Sequence, residues 1–247
     1  MSKRTDSNGY TILFAIGMVV VVGALLAFTA ASLKGKISTN VELEKQQNIL
    51  YAMGVNENNE TSAIFVSTKD APELFGKYIT KQIVLESNGD ITEDDKAYLI
   101  DIKKEKAKGA ERRLPLFVGE KDGKTFYIVP IRGKGLWDAV WAYIAMDENM
   151  VIQGAYFDHK AETAGLGANI KERFFMDDFI GEHLLDSKGN FKGVAITKSN
   201  ADPLNKDKKD NEVDAIAGAT ITGNGVADML RNDLKLYKPY FDKLKNK

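Results

Sequence analysis

Between Asp6 and Lys34 the chain carries no charged side chain, and residues 10–33 read YTILFAIGMVVVVGALLAFTAASL. An apolar run of this kind exceeds the roughly 20 residues a helix needs to cross about 30 Å of hydrocarbon. Inside lipid a single span must satisfy its own backbone hydrogen bonds, so a helix is the form expected. Tyr10 stands where an interfacial aromatic belongs. Gly17 and Gly23 are tolerated in such a helix, although their spacing is not GxxxG. A cleaved signal peptide is the rival reading, with small residues at 27–31, but its apolar region would be shorter, about 7–15 residues. The expected organisation is an N-terminal tail at 1–9, a transmembrane helix at 10–33, a connecting helix at 34–54 and one domain at 55–247. Lys3 and Arg4 precede the span while Lys34, Lys36 and Lys45 follow it, so the positive-inside count leaves orientation open.

Composition removes several function classes. There are 34 basic and 35 acidic side chains in 247 residues, a formal net charge of −1, which argues against a nucleic-acid binder. No cysteine is present, which excludes disulfides, thiolate metal sites and a cysteine nucleophile. Only His159 and His183 offer imidazole, and no multi-histidine metal site is expected.

After the span, Ile37, Val41, Leu43, Ile49, Leu50 and Met53 recur at near-helical spacing, with Gly54 as a stop. Residues 87–113 mix both charge signs and read as a solvated helix and loop. LPLFV and FYIVPI flank Lys121-Asp122-Gly123, a β-hairpin pattern. Two more strands are expected in 136–158 around a turn at 147–149. A short helix at 170–180, a strand at 191–198 and an exposed polar loop at 199–213 follow. An amphipathic helix is expected over Val226 to Leu244, interrupted near Pro239. The sum is an α+β domain with a mainly antiparallel sheet and flanking helices.

Three segments carry possible chemistry. Asp214-Ala215-Ile216-Ala217-Gly218-Ala219-Thr220 precedes a helix, as does Thr222. On residue type alone this is a glycine turn whose hydroxyl caps a helix. The same geometry offers free N–H groups and a positive dipole end, which suit a phosphate. Gly218 and Ala219 would allow close approach of a bulky group. Arg132-Gly133-Lys134-Gly135-Leu136-Trp137 is a glycine turn before a Trp, whose flat face could meet a ring or a core. His159-Lys160-Ala161-Glu162-Thr163-Ala164-Gly165-Leu166-Gly167 is a polar loop with two glycines.

The first segment resembles the flavinylation motif of FMN-binding domains, in which the final threonine is joined to FMN through a phosphoester; Ala217 stands where that family usually has Ser or Thr. The second and third resemble P-I-x-G-K-G-L-W and H-x-E-T-P-G-L-G of the C-subunit family of the Na+-translocating NADH:quinone reductase, with Ala164 in place of Pro. The resemblance spans nearly the whole chain, with the segments in the same order. It implies covalent FMN on Thr220, with Asp214, Gly218, Ala219 and Thr222 around the attachment point. Glu162, Thr163, Gly165, Leu166 and Gly167 would lie along the flavin, with Trp137 near the ring and Lys198 beside the ring or phosphate. His159 is expected to be a structural hydrogen-bonder. No residue is assigned to acid–base or nucleophilic catalysis, since the cofactor would do the redox chemistry.

The implied protein is an electron-relaying flavoprotein subunit anchored in a bacterial inner membrane, its soluble domain on the periplasmic side. Its implied partners are the other membrane and redox subunits, a flavin transferase during maturation, and the lipid bilayer. Alone it would show little or no NADH:quinone turnover. The near alternative is the G-type subunit of the related Rnf complex. The rivals of different kind are an anchored binding or scaffold domain without flavin and a domain holding FMN non-covalently.

Overall fold

The computed structural model describes residues 7–199, 202 and 205–245. Most of the expected N-terminal tail, including Lys3 and Arg4, lies outside the described residues. One helix, α1, runs over Asn8–Ala52. Its N-terminal part is long and apolar enough to cross a membrane and is nowhere buried within the chain. The chain divides into two compact units, one ending at Glu42 and the other beginning at Leu43. The last turns of α1 thus belong to the second unit, where Asn48 to Ala52 are buried. Gly54, at φ +78°, ends the helix as its position predicts.

The second unit is built on six antiparallel strands. They are β1 (Ile79–Leu85), β2 (Ile91–Glu93), β3 (Leu114–Lys121), β4 (Lys124–Lys134), β5 (Ala139–Met146) and β6 (Ile152–His159), in the order β2-β1-β3-β4-β5-β6. The β3–β4 hairpin closes through Asp122 and Gly123, both at positive φ, the two-residue connection that matches strand twist. Pairing of Phe117 with Ile128 and Tyr127 with Met146 fixes the register.

That register explains why both faces of the central strands are apolar. Side chains alternate along a strand, and paired residues share a face. Tyr127 packs edge-on against Phe241, with ring centroids 5.3 Å apart, and Gly133 abuts Met229; both odd-numbered positions of β4 therefore face the C-terminal helices. Phe126 pairs with Gly119, which abuts Met53 just after α1. The even-numbered face is thus covered by the last residues of α1, and Gly154 leaves room for the Ala52 carbonyl there. The sheet is a middle layer, with α2 (Ala71–Tyr78) also beside β1 and β3.

The C-terminal helices are α5 (Thr220–Leu234) and α6 (Lys238–Lys245), joined by a tight turn at Lys235–Tyr237. Pro239 falls in the first turn of α6, where its missing N–H costs nothing. Helix α5 begins six residues before the periodicity suggested. Thr222, Gly223 and Gly225 are poor helix formers, which hid this first turn. They are there for close packing: a Cβ on Gly225 would overlap the Lys134 carbonyl, and one on Gly133 would lie 2.7 Å from Met229 Cβ.

Four expectations need correction. The mixed-charge segment contains strand β2 and helix α3 (Ile102–Ala107), and it is not wholly solvated. Glu105 is buried and takes Lys108 and Arg113, while Lys106 and Arg112 reach the buried Asp233. The strand expected at 191–198 shrinks to β7 (Ala195–Ile196), which pairs parallel with β8 (Glu212–Val213). The loop between them is not uniformly exposed, since Asn205 and Asn211 are buried. Their side chains donate to the Asp178 and His183 carbonyls, which satisfies buried backbone acceptors and holds the loop down. The helix expected at 170–180 is a 3-10 turn, Gly167–Lys171, followed by α4 (Arg173–Asp178).

Candidate functional site

Three connections meet at one end of the strands: the β4–β5 turn, the loop after β6, and the segment entering α5. They enclose a cavity of about 250 Å³ lined by Leu136, Glu162, Thr163, Leu166 and Gly167 from the first two, and by Gly218 to Thr222 from the third. The β4–β5 turn is closed by the Gly135 N–H donating to the Asp138 carbonyl over 2.8 Å. Lys160 joins the first two connections through a 2.7 Å ion pair with Asp138.

Helix α5 enters the cavity through Gly218, whose φ of +73° suits glycine. A Cβ there would also lie 2.8 Å from Leu166 Cδ2. Ala219 occupies the cap position and supplies no side-chain acceptor, so it leaves the first N–H groups of α5 without a side-chain cap. Thr220 opens the helix and is exposed. Thr222, two residues on, is 1% exposed and donates its hydroxyl to Glu162 Oε2 over 2.5 Å.

Glu162 is the hub. Its Oε1 accepts the Trp137 N–H at 3.0 Å, and its own N–H donates to His159 Nδ1 at 3.1 Å. Burial pushes its carboxyl up. The Thr222 hydroxyl and the N–H groups of Trp137, Asp138 and Leu136 outweigh this and hold it below the usual carboxylate range. The role expected for His159 matches its contact. Trp137 is 66% exposed, so it is not core, and its indole N–H donates to Thr163 Oγ1 at 3.1 Å. Leu136, Leu166 and Ile221 are also exposed. The cavity that Thr220 lines therefore also presents the exposed apolar side chains of Leu136, Leu166 and Ile221.

The residues singled out from the sequence separate into two groups. Thr220, Gly218, Ala219, Thr222, Glu162, Thr163, Leu166 and Gly167 line one cavity, with Trp137 bonded to two of them. Gly165 turns the loop at φ +75° without lining it. Asp214 lies elsewhere, its N–H donating to Asp178 Oδ2 at 3.1 Å. Lys198 lies beyond β7 and does not line the cavity. Two lining residues lie outside the expected set: Leu136, inside the second segment beside Trp137, and Ile221, between Thr220 and Thr222.

The residues present fit FMN. Uncapped N–H groups and an exposed hydroxyl suit its phosphate, and the exposed apolar side chains suit its ring. Glycines at 167 and 218 let the cavity walls close on one another, since a Cβ at 167 would lie 2.5 Å from Thr222 Oγ1 and one at 218 would lie 2.8 Å from Leu166 Cδ2.

Comparison with known proteins agrees. Residues 135–235 match the FMN-binding domain model, a range that holds every cavity residue. The C subunit of the Na(+)-translocating NADH-quinone reductase of Pseudomonas aeruginosa is 30% identical over 245 residues, spanning 91% of this chain and 90% of that protein. This chain belongs to that C-subunit family. The Vibrio alginolyticus C subunit is 29% identical over 247 residues, spanning 92% of this chain and 90% of that one. The crystal structure of the same reductase's C subunit from Parabacteroides distasonis shares 33% identity and superimposes with a TM-score of 0.72, over 85% of this chain and 96% of that chain. The structure of NqrC from Shewanella oneidensis, at 24% identity, shares the fold with a TM-score of 0.66. These relatives belong to a redox enzyme complex, and their names favour that reading over the G-type alternative.

Proposed function

We propose that this chain is a membrane-anchored subunit that relays electrons through FMN joined by a phosphoester to Thr220. The observation that carries this reading is the contrast between two hydroxyls. Thr222 is buried and committed to Glu162, whereas Thr220 is exposed at the uncapped start of α5. Of the two, Thr220 is the one that presents its oxygen to a phosphate beside N–H groups that favour it.

FMN, when bound, supplies the electron-carrying chemistry. The chain supplies placement. Gly218 and Gly167 let the walls of the cavity pack closely, the first turn of α5 holds the phosphate, and Leu136, Leu166, Ile221 and Trp137 present apolar surface to the ring. Thr163 keeps the Trp137 indole in place through its hydroxyl. Asp214, outside the cavity, acts on the approach to α5, and Gly165 on the loop path.

The domain organisation follows the same reading: a tail at 1–9, a span at 10–33, a connecting helix at 34–54, and an FMN-binding domain at 55–247 on the periplasmic side of a bacterial inner membrane. A tether has a physical rationale there, because an ester prevents loss of a flavin that cannot readily be replaced outside the cytoplasm. A flavin transferase installs it, the bilayer holds the anchor, and other subunits bring redox centres close. Na+ translocation is a property of that complex, and the ion is carried over from the family. Mass spectrometry of proteolytic peptides from transferase-treated protein tests the attachment. The added mass of an FMN ester, FMN less one water, belongs on the peptide holding Thr220, at that residue; a bare Thr220 with the mass elsewhere refutes the reading.

A further inference from the structure

Glu162 lines the cavity, yet both of its carboxylate oxygens are engaged by the protein itself. Oε1 accepts from the Trp137 backbone and Oε2 from the Thr222 hydroxyl. The carboxylate is also closely walled. A Cβ on Gly135 would lie 2.5 Å from Oε1, and one on Gly167 would lie 2.8 Å from Oε2. The residue is 7% exposed. These partners are N–H and O–H donors, and the ionised carboxylate is the side chain that only accepts.

Such a group does two things at once. It ties the β4–β5 turn, the loop after β6 and the first turn of α5 to one point. It also fixes a negative charge in a poorly solvated wall of the cavity, where charge acts over a longer range than in water. A flavin gains negative charge, or must take up a proton, when it accepts electrons. A fixed carboxylate nearby opposes that gain.

We propose that Glu162 is the positioning and potential-setting residue of the FMN site: its carboxylate holds Trp137 and Thr222 in place, and its charge keeps the reduction potential of FMN below what the same cavity would otherwise give. This rests on the FMN reading above and assigns Glu162 no proton transfer and no direct bond to the flavin.

Two variants separate charge from geometry. In Glu162→Gln the amide oxygen can face the Trp137 N–H while its NH2 donates to Thr222, whose hydroxyl turns from donor to acceptor. The bond count is kept and the charge is lost. In Glu162→Asp the charge stays and the reach shortens. The measurement is the midpoint potential of FMN in the full-length, transferase-treated chain, after flavin content has been checked by in-gel fluorescence. The expected result is an upward shift in Glu162→Gln, with Glu162→Asp nearer the parent. An unmoved potential in Glu162→Gln, or equal shifts in both variants, overturns the proposal.

The flavin-free chain gives an independent readout. A carboxyl held below its ordinary value of 4.5 contributes stability above that value and loses it as pH falls through the folded-state value. Acid unfolding of Glu162→Gln therefore lacks one component seen in the parent, and identical acid limbs count against the proposal. A parent that takes no flavin defeats the FMN reading and this proposal with it. A labelled parent with an unmoved variant potential defeats this proposal alone.

Discussion

The Thr222 hydroxyl meets Glu162 Oε2 at 2.5 Å across 60 positions of sequence. This bond joins the start of α5 to the loop after β6 and withdraws one of two neighbouring hydroxyls from the cavity's chemistry. Thr222→Val keeps the side-chain shape and removes the bond. A buried acceptor that loses a donor costs about 1–3 kcal/mol, and denaturant unfolding should show a loss of that order. Flavin attachment should persist, because Thr220 is untouched.

Asp233 is the buried end of a second network. Its side chain is 6% exposed, pairs with Lys106 at 3.0 Å and Arg112 at 3.2 Å, and accepts the Arg132 N–H at 3.2 Å. Asp233→Ala leaves these cations beside an apolar void. Breaking a buried pair by removing one partner costs about 3–5 kcal/mol. The unfolding free energy of the variant in urea should fall by that amount. A change under about 1 kcal/mol would show that solvent replaces the carboxylate at this site.

Glu182 predicts a pH effect of opposite sign to Glu162. Burial pushes its carboxyl up to about 7, against the lowering effects of Asn205 and Lys208. A raised acid binds its proton more tightly in the folded chain, so folding is penalised once that proton is lost. Stability should therefore decline as pH rises from about 4.5 through about 7. Thermal unfolding of Glu182→Gln across this range should lack that decline. An identical slope in parent and variant would refute the assignment.

Gly225 tests how α5 is seated. A Cβ there would overlap the Lys134 carbonyl, a backbone atom that cannot swing aside. Helix propensity alone favours Gly225→Ala by about 1 kcal/mol, yet overpacking costs about 1–3 kcal/mol. The variant should be less stable by chemical denaturation. A more stable variant would contradict the close seating of α5 on β4.

Where alternation or helical spacing was strong, the fold could be read in the residues. The hairpin around Asp122-Gly123 and the strands on either side of 147–149 appear as expected, because their apolar periods match the buried faces. The reading weakened where tertiary contacts override local preference. Thr222, Gly223 and Gly225 disguise the first turns of α5, since their value lies in contacts with Glu162, Ile196 and Lys134. Glu105 looked solvated with the rest of 87–113 because its partner Arg113 follows at irregular spacing, and nothing local marks Asp233 as buried because its cations come from another element. At the site, motif resemblance picked mostly residues that share a cavity, with Asp214 and Gly165 outside its lining. It could not show that Glu162 is already occupied by Trp137 and Thr222, because that depends on three loops meeting.

Attachment of flavin at Thr220 is the central claim, and in-gel fluorescence of denatured protein tests it directly. The full chain is co-produced with an active flavin transferase, beside Thr220→Ala. A fluorescent parent band and a dark variant band are predicted. Fluorescence on both would move the acceptor away from Thr220, and darkness on both would contradict covalent attachment of flavin to this chain.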